Sequence, residues 1–186
     1  MSIPADAPRP RTALEAARAG DLAAFDDLMR QYQRLVLVTA LRLTGSLPDA
    51  QDISQDVFLK LYRNLAKLDT DGLTSWLYRV TVNACHDRRR RRRPEDPVEY
   101  AEKLPATAAD PHQTLADAER RSVLALSLRM LPEKERAALV LRDLEGLSTE
   151  ETAQILGSSE ATVRSQVSKA RVKVKDFVER YFRRRT

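Results

Sequence analysis

Arg164, Ser165, Ser168, Lys169 and Arg171 fall on one stripe of a predicted helix, and their guanidinium, hydroxyl and ammonium groups are donors suited to a polyanion. An Arg on such a stripe can bond two acceptors on guanine in the major groove, and a small Ser lets the backbone approach closely. The stripe belongs to the stretch LSTEETAQILGSSEATVRSQVSKARVKVKDF, residues 147–177, which reads as two helices joined by a tight turn. Ser148 followed by Glu151 is a capping-box start, Ala153 and Leu156 form an apolar face, and Gly157 supplies a left-handed stop. Ser158 or Ser159 caps the second helix. There Val163, Val167, Ala170, Val174 and Phe177 recur at helical spacing and leave the basic stripe facing out. Residues 164–186 hold nine Lys or Arg against two acids, and DNA accounts for such a face. The competing reading is an ordinary helical hairpin with solvated cations.

A second array could hold an unpaired strand. Trp76, Val80, Asn83 and Asp87 lie along one face of a helix predicted over residues 73–93, which ends in six consecutive arginines before Pro94. Like charges at that density repel unless an anion neutralises them, so Arg88, Arg89, Arg90 and the three arginines after them are read as phosphate contacts. Bases lifted from the stack can rest on Trp76 while the Asn83 amide, both donor and acceptor, reads their edges. The alternative makes Trp76 an ordinary core residue.

The third array is acidic. Ile53, Val57, Leu61 and Leu65 mark a buried stripe, leaving Asp52, Gln55, Asp56 and Leu59 on the other side of their helix. On a chain of net charge +5, an acidic and partly apolar face suits a protein partner rather than DNA. The alternative is a solvated first turn whose acids answer the helix dipole. Catalysis finds little support: the histidines are His86 and His112, the one cysteine is Cys85, and no spacing suits a metal. No metal, no cofactor and no enzymatic activity are expected.

The elements that position these arrays are predicted to be helices throughout. Only five Gly occur in 186 residues, 42% of the chain is hydrophobic, and no run of β-branched residues lasts, so the class is all-α. Charge divides the chain. Residues 1–93 carry sixteen basic and eleven acidic side chains, residues 94–118 one and six, and the rest fifteen and ten. Two basic modules joined by an acidic, proline-bearing, flexible linker are two separate contacts with a polyanion. Residues 1–11 are expected to be disordered, residues 12–93 to form one small helical domain, 94–118 the linker, and 119–186 the second domain.

Within the first domain a short segment around residues 14–19 precedes a Gly20-Asp21 break. A helix over about 22–32 and a further apolar helix to Leu43 follow, and a loop at 44–49 leads to a helix opening at Asp49. Residues 66–72, AKLDTDG, show no periodicity. In the second domain a helix over 115–128 precedes one that starts after Pro132 and closes at Gly146. The single cysteine fits a reducing compartment, and no apolar run is long enough to span a membrane or to serve as a signal peptide, so a cytoplasmic location is expected.

The motifs DAQDISQDVFLKLYRNL, SWLYRVTVNACHDRRRRR, LPEKERAALVLRDLEGLSTEETAQILG and SEATVRSQVSKAR, in that order, resemble the sigma-70 family of bacterial RNA polymerase sigma factors, specifically its extracytoplasmic function (ECF) type. The resemblance implies that the first module is sigma domain 2, binding the clamp helices of core RNA polymerase through Asp52, Gln55, Asp56 and Leu59 and capturing the melted -10 element. Asn64 and Leu68, beside the AKLDTDG loop, match with Val80 and Asn83 the positions that cradle a flipped -10 base. It further implies that the second module is sigma domain 4, with Arg164, Ser165, Ser168 and Lys169 on the surface that reads the -35 element. The polymerase clamp and flap, promoter DNA and an anti-sigma factor are the implied partners. The rival reading is a two-domain helix-turn-helix regulator that does not join polymerase. It lacks support from any ligand or phosphoryl-acceptor domain in the N-terminal half.

Overall fold

The computed structural model describes residues 10–91 and 115–183, and every regular element among them is helical. The first module contains α1 (Pro10–Arg18), α2 (Leu22–Thr44), α3 (Leu47–Asn64), a 3-10 turn (Leu65–Lys67) and α4 (Leu73–Arg91). The second contains α5 (Leu115–Arg129), α6 (Glu133–Leu139), a π turn (Val140–Leu144), α7 (Thr149–Leu156) and α8 (Glu160–Arg183). Residues 1–9 of the segment expected to be disordered, and the expected linker up to residue 114, lie outside the described residues, as do Arg92 and Arg93. Residues 115–118, assigned to the linker from sequence, are the first turn of α5.

Local chemistry fixes the helix ends. Asp21 caps α2 by accepting from the amides of Ala23 at 2.9 Å and Ala24 at 3.2 Å. The helix then continues through residue 32, where two helices were expected, because neither Gly nor Pro interrupts it before Gly45. Gly45 ends it with φ 72°, its amide donating to the Leu41 carbonyl at 2.8 Å. A side chain at this position would also stand 3.0 Å from the aliphatic stem of Arg129 in the second module, so glycine serves the interface as well as the cap. Ser46 caps α3, which places Pro48 in the first helical turn rather than in the loop expected there. The AKLDTDG segment likewise opens with the 3-10 turn instead of being wholly irregular.

The core of the first module is the inner faces of α1 to α4. Leu14, Leu28, Val36, Val57, Leu61, Leu73 and Leu77 are fully buried, and each such side chain stabilises the fold by roughly 1.5–3 kcal/mol. The second module packs α8 across α5, α6 and α7, through Val123, Leu141, Val163, Val167 and Ala170. Its helix predicted to reach Leu144 widens after Leu139. The Glu145 amide donates to the carbonyl of Val140, five residues back, at 2.9 Å, and this π turn re-aims the residues that follow.

The modules pack on one another: α2 touches α5, α6 and the π turn, and α4 touches α7. Two charged side chains organise the seam. Arg136, only 7% exposed, donates to the carbonyls of Leu43 (2.6 Å), Leu131 (2.9 Å) and Arg129 (3.0 Å). A side chain of one module thereby completes the C-terminal turn of α2 in the other, where helix carbonyls lack intrahelical partners. Glu145, aimed by the π turn, accepts from Arg42 at 2.7 Å, the Thr39 hydroxyl at 3.1 Å and the Tyr78 hydroxyl at 3.2 Å.

Candidate nucleic-acid and protein interfaces

The helix-turn-helix forms as its sequence directs. Ser148 and Glu151 complete a reciprocal capping box, the Ser148 amide donating to the Glu151 carboxylate at 2.7 Å and the Glu151 amide to the Ser148 hydroxyl at 3.1 Å. Hydrogen bonding to Ser148, its backbone amide first and then its side chain, holds the exposed Glu151 carboxyl below its ordinary value. Gly157 turns the chain at φ 60°, and the Ser159 hydroxyl accepts from the Thr162 amide at 3.2 Å. Burial of Val163, Val167 and Ala170 leaves Arg164, Ser165, Ser168 and Lys169 exposed on the opposite face of α8. Arg164 bonds Glu160 one turn back at 3.0 Å, an exposed pair that a base or phosphate can displace at small cost.

Arg171 is placed differently from its neighbours on the stripe. Its guanidinium makes a fork with both oxygens of Asp143, each at 2.8 Å, and these hydrogen bonds hold it above its ordinary pKa. Lys173 holds Glu135 in the same way, at 2.8 and 2.9 Å. Both residues fasten α8 to the α6 region, so Arg171 braces the reading helix where the spacing suggested a contact. Spacing alone also passed over Val172, 57% exposed and one helical turn beyond Ser168 and Lys169. An exposed apolar side chain beside the polar stripe, which can meet a thymine methyl, was the signal available.

On α4, Asn83 is exposed while Trp76 and Val80 are half-buried, packed against the core with one side open. The structure brings these three together on one face. Asn64 uses its amide to donate to the Lys60 carbonyl at 2.8 Å. Leu68 departs from the expectation of a base contact: it is 8% exposed and belongs to the core, because the 3-10 turn directs it inward, where it anchors the loop. Three arginines near the end of α4 each find an acid within the chain. Arg88 bonds Asp49 and Asp52, Arg89 lies 4.0 Å from Glu133, and Arg90 bonds Asp87 at 3.1 Å. Burial works against the Arg88 charge, yet its hydrogen bonds to Asp49 and Asp52 outweigh this and raise its pKa.

On α3, Asp52, Gln55, Asp56 and Leu59 are all exposed along one face, with Leu59 at 46%. The face extends to Tyr62, which is 53% exposed and meets the ring of Phe25 edge-on at a centroid distance of 5.1 Å. Tyr62 was not singled out from the sequence, although it continues the helical spacing from Leu59. Cys85 lies behind these surfaces, buried, its thiol pushed up to about 12 chiefly by burial and further by Glu133 and Asp49. Among the described residues no helix is long and apolar enough to cross a membrane.

Known proteins supply the same two-part organisation. Residues 28–95 match "Sigma-70 region 2" and residues 121–174 match "Sigma-70, region 4". The chain is 35% identical to the ECF RNA polymerase sigma factor SigE of Mycolicibacterium smegmatis, over 96% of this chain and 71% of that one. It is 33% identical to the ECF RNA polymerase sigma-E factor of Escherichia coli, over 92% and 95%. Among solved structures it resembles CnrH, seen in complex with the cytosolic domain of CnrY, with a TM-score of 0.66 and 26% identity over 91% of this chain and 97% of that one. RpoE of Bartonella quintana, with a TM-score of 0.70 and 22% identity over 83% and 96%, shares the fold. With both regions matched in order and relatives at least 33% identical over 71% and 95% of their own lengths, the chain belongs to the sigma-70 family of RNA polymerase sigma factors, in its ECF branch.

Proposed function

We propose that the two modules of this sigma factor divide promoter recognition between the helix faces described above. In this reading residues 12–93 are sigma domain 2 and residues 119–186 sigma domain 4, joined by the acidic segment between them. Arg164, Ser165, Ser168 and Lys169 read the duplex -35 element, with Arg164 bonding a base and Val172 adding apolar contact. Trp76, Val80 and Asn83 receive the unpaired -10 strand, Asn64 and Leu68 shape the adjoining loop, and Arg88, Arg89 and Arg90 hold phosphates. Asp52, Gln55, Asp56 and Leu59, extended by Tyr62, meet the clamp helices of core polymerase, while the second module meets the flap.

The observation supporting this division most directly is the segregation of surfaces. A basic, polar reading face lies on α8, and an acidic, partly apolar face lies on α3, each on a helix whose opposite side is core. Sigma factors act by binding and positioning, so no catalytic residue is assigned. A regulator acting without polymerase would have no use for the α3 face. Because CnrH is seen with CnrY, we extend the proposal to an anti-sigma partner for this chain, and we place the protein in the cytoplasm with the polymerase. Run-off transcription with core polymerase on a pool of genomic fragments, with start sites mapped, tests the whole reading. Initiation at positions sharing no upstream sequence would overturn it.

A further inference from the structure

The C-terminal end of α4 and helices α5, α6 and α8 border a cleft of about 440 Å³, within the roughly 300–1,000 Å³ typical of small-molecule sites. Its walls carry four arginines, Arg88, Arg89, Arg129 and Arg136, against two carboxylates, Asp49 and Glu133, so positive charge is in excess without counting His86. A concave surface of one sign concentrates the opposite ion. Trp76, Val80 and Asn83 do not line the cleft, which is therefore separate from the surface assigned to the unpaired strand, although Arg88 and Arg89 border both.

The cations are not equally compensated. Arg88 is engaged by Asp49 and Asp52. Arg89, with its side chain 56% exposed, has Glu133 only at 4.0 Å, and the same carboxyl group meets His86 at 3.0 Å. Arg136 is buried, and the bonds it donates to Leu43, Arg129 and Leu131 end on carbonyls, which carry no net charge to balance its own. Burial first, and then the Arg89 charge, lower its pKa. An anion in the cleft relieves that repulsion, and guanidinium groups present paired donors that suit phosphate oxygens.

The remaining wall is apolar. Half-buried Leu126 and Phe177 line it together with Met130, which is 71% exposed. A large apolar side chain facing water gains from a flat ring laid upon it, and thioether and phenyl groups both favour a π surface. Phosphate-binding and ring-binding groups thus meet in one cavity of small-molecule size. We propose that this cleft binds a nucleoside diphosphate, its base against Met130 and Phe177 and its phosphates on Arg88 and Arg89, within the field of Arg136. The site is complete in the free chain, so it stands apart from the promoter assignment.

The experiment uses the full chain without polymerase or DNA. Fluorescence anisotropy of ADP labelled on its ribose reports binding, with unlabelled ADP, adenosine and pyrophosphate as competitors. ADP should displace the probe, whereas adenosine and pyrophosphate, each presenting half of the recognised chemistry, should each compete about tenfold less well. Arg89→Gln should weaken ADP binding about tenfold, because a charge-assisted hydrogen bond is lost. Met130→Glu should bind ADP about tenfold more weakly than Met130→Gln, since the two differ in charge alone. Both positions are exposed, so each variant should melt as the wild type does. Arg30→Gln, which removes an exposed cation outside the cleft, should leave ADP binding unchanged. Absence of ADP binding to the wild-type chain overturns the proposal, and so does pyrophosphate that competes as well as ADP. Unchanged affinity in Arg89→Gln, or equal losses in Arg89→Gln and Arg30→Gln, overturns it too. The competition series needs only the wild-type chain and decides the matter even where a variant melts early.

Discussion

Arg88 donates to Asp52 at 2.9 Å and to Asp49 at 3.0 Å, so the basic end of α4 is tied to the acidic face of α3. The same carboxylate that is proposed to meet polymerase occupies a guanidinium that is proposed to meet DNA. Asp52→Asn should therefore have two separable consequences. Co-elution with core polymerase should weaken, and the free protein should bind unpaired DNA more tightly at low salt, because Arg88 loses a competing acid. Because this pair is exposed, its energy is at most about 1 kcal/mol, and the second effect should be no more than roughly fivefold. Size-exclusion chromatography and fluorescence anisotropy measure the two. Retention of both properties would dissociate the acidic face from either role.

Arg164 and Arg171 stand two turns apart on α8 yet should fail differently. Arg164→Ala should lose roughly 1–3 kcal/mol of binding, concentrated at one or two -35 positions, since a lost base contact relaxes discrimination there. Arg171→Ala removes the fork to Asp143. It should lower thermal stability by no more than about 1 kcal/mol and weaken all sequences alike. A panel of -35 substitutions with a thermal melt of each variant separates the outcomes. Uniform loss for Arg164→Ala would reduce α8 to a backbone-docking helix.

Asn83→Ala should impair promoter opening more than promoter binding, because Asn83 is exposed beside the half-buried Trp76 and Val80, where an unpaired base can rest. Permanganate reactivity of unpaired thymines reports opening directly. If the variant binds duplex promoter poorly but acts normally on a pre-melted template, Asn83 does not serve the single strand.

Cys85 should resist alkylation in the folded protein. The thiolate is the reactive form, and a thiol raised from 9.0 to about 12 leaves roughly a thousandfold less of it at pH 8, with burial slowing access further. Labelling by iodoacetamide should be negligible at pH 8 and complete after denaturation. Rapid labelling of the native protein at pH 8 would show that the seam around α4 opens readily.

The sequence by itself determined several features governed by near neighbours. Ser148, Glu151 and Gly157 specify the ends of α7 because a capping box and a left-handed stop need only a few residues. Asp21 and Gly45 bound α2 for the same reason. The spacing of Val163, Val167 and Ala170 fixes which side of α8 faces out. A boundary at residue 32 was misplaced because an amphipathic pattern can shift its buried face along a long helix without any break in the backbone.

Tertiary structure alone decided what depends on partners distant in sequence. That Leu68 turns inward and that Arg171 braces α8 against Asp143 follow from neighbours no local pattern names. The π turn that aims Glu145 gives no hydrophobic signal, since widening a helix by one residue leaves composition unchanged. The partners of Glu145 lie 67 to 106 residues away, and the Leu43 carbonyl bonded by Arg136 lies 93 away. These contacts depend on how two independently capped modules pack, a geometry that helical periodicity does not encode.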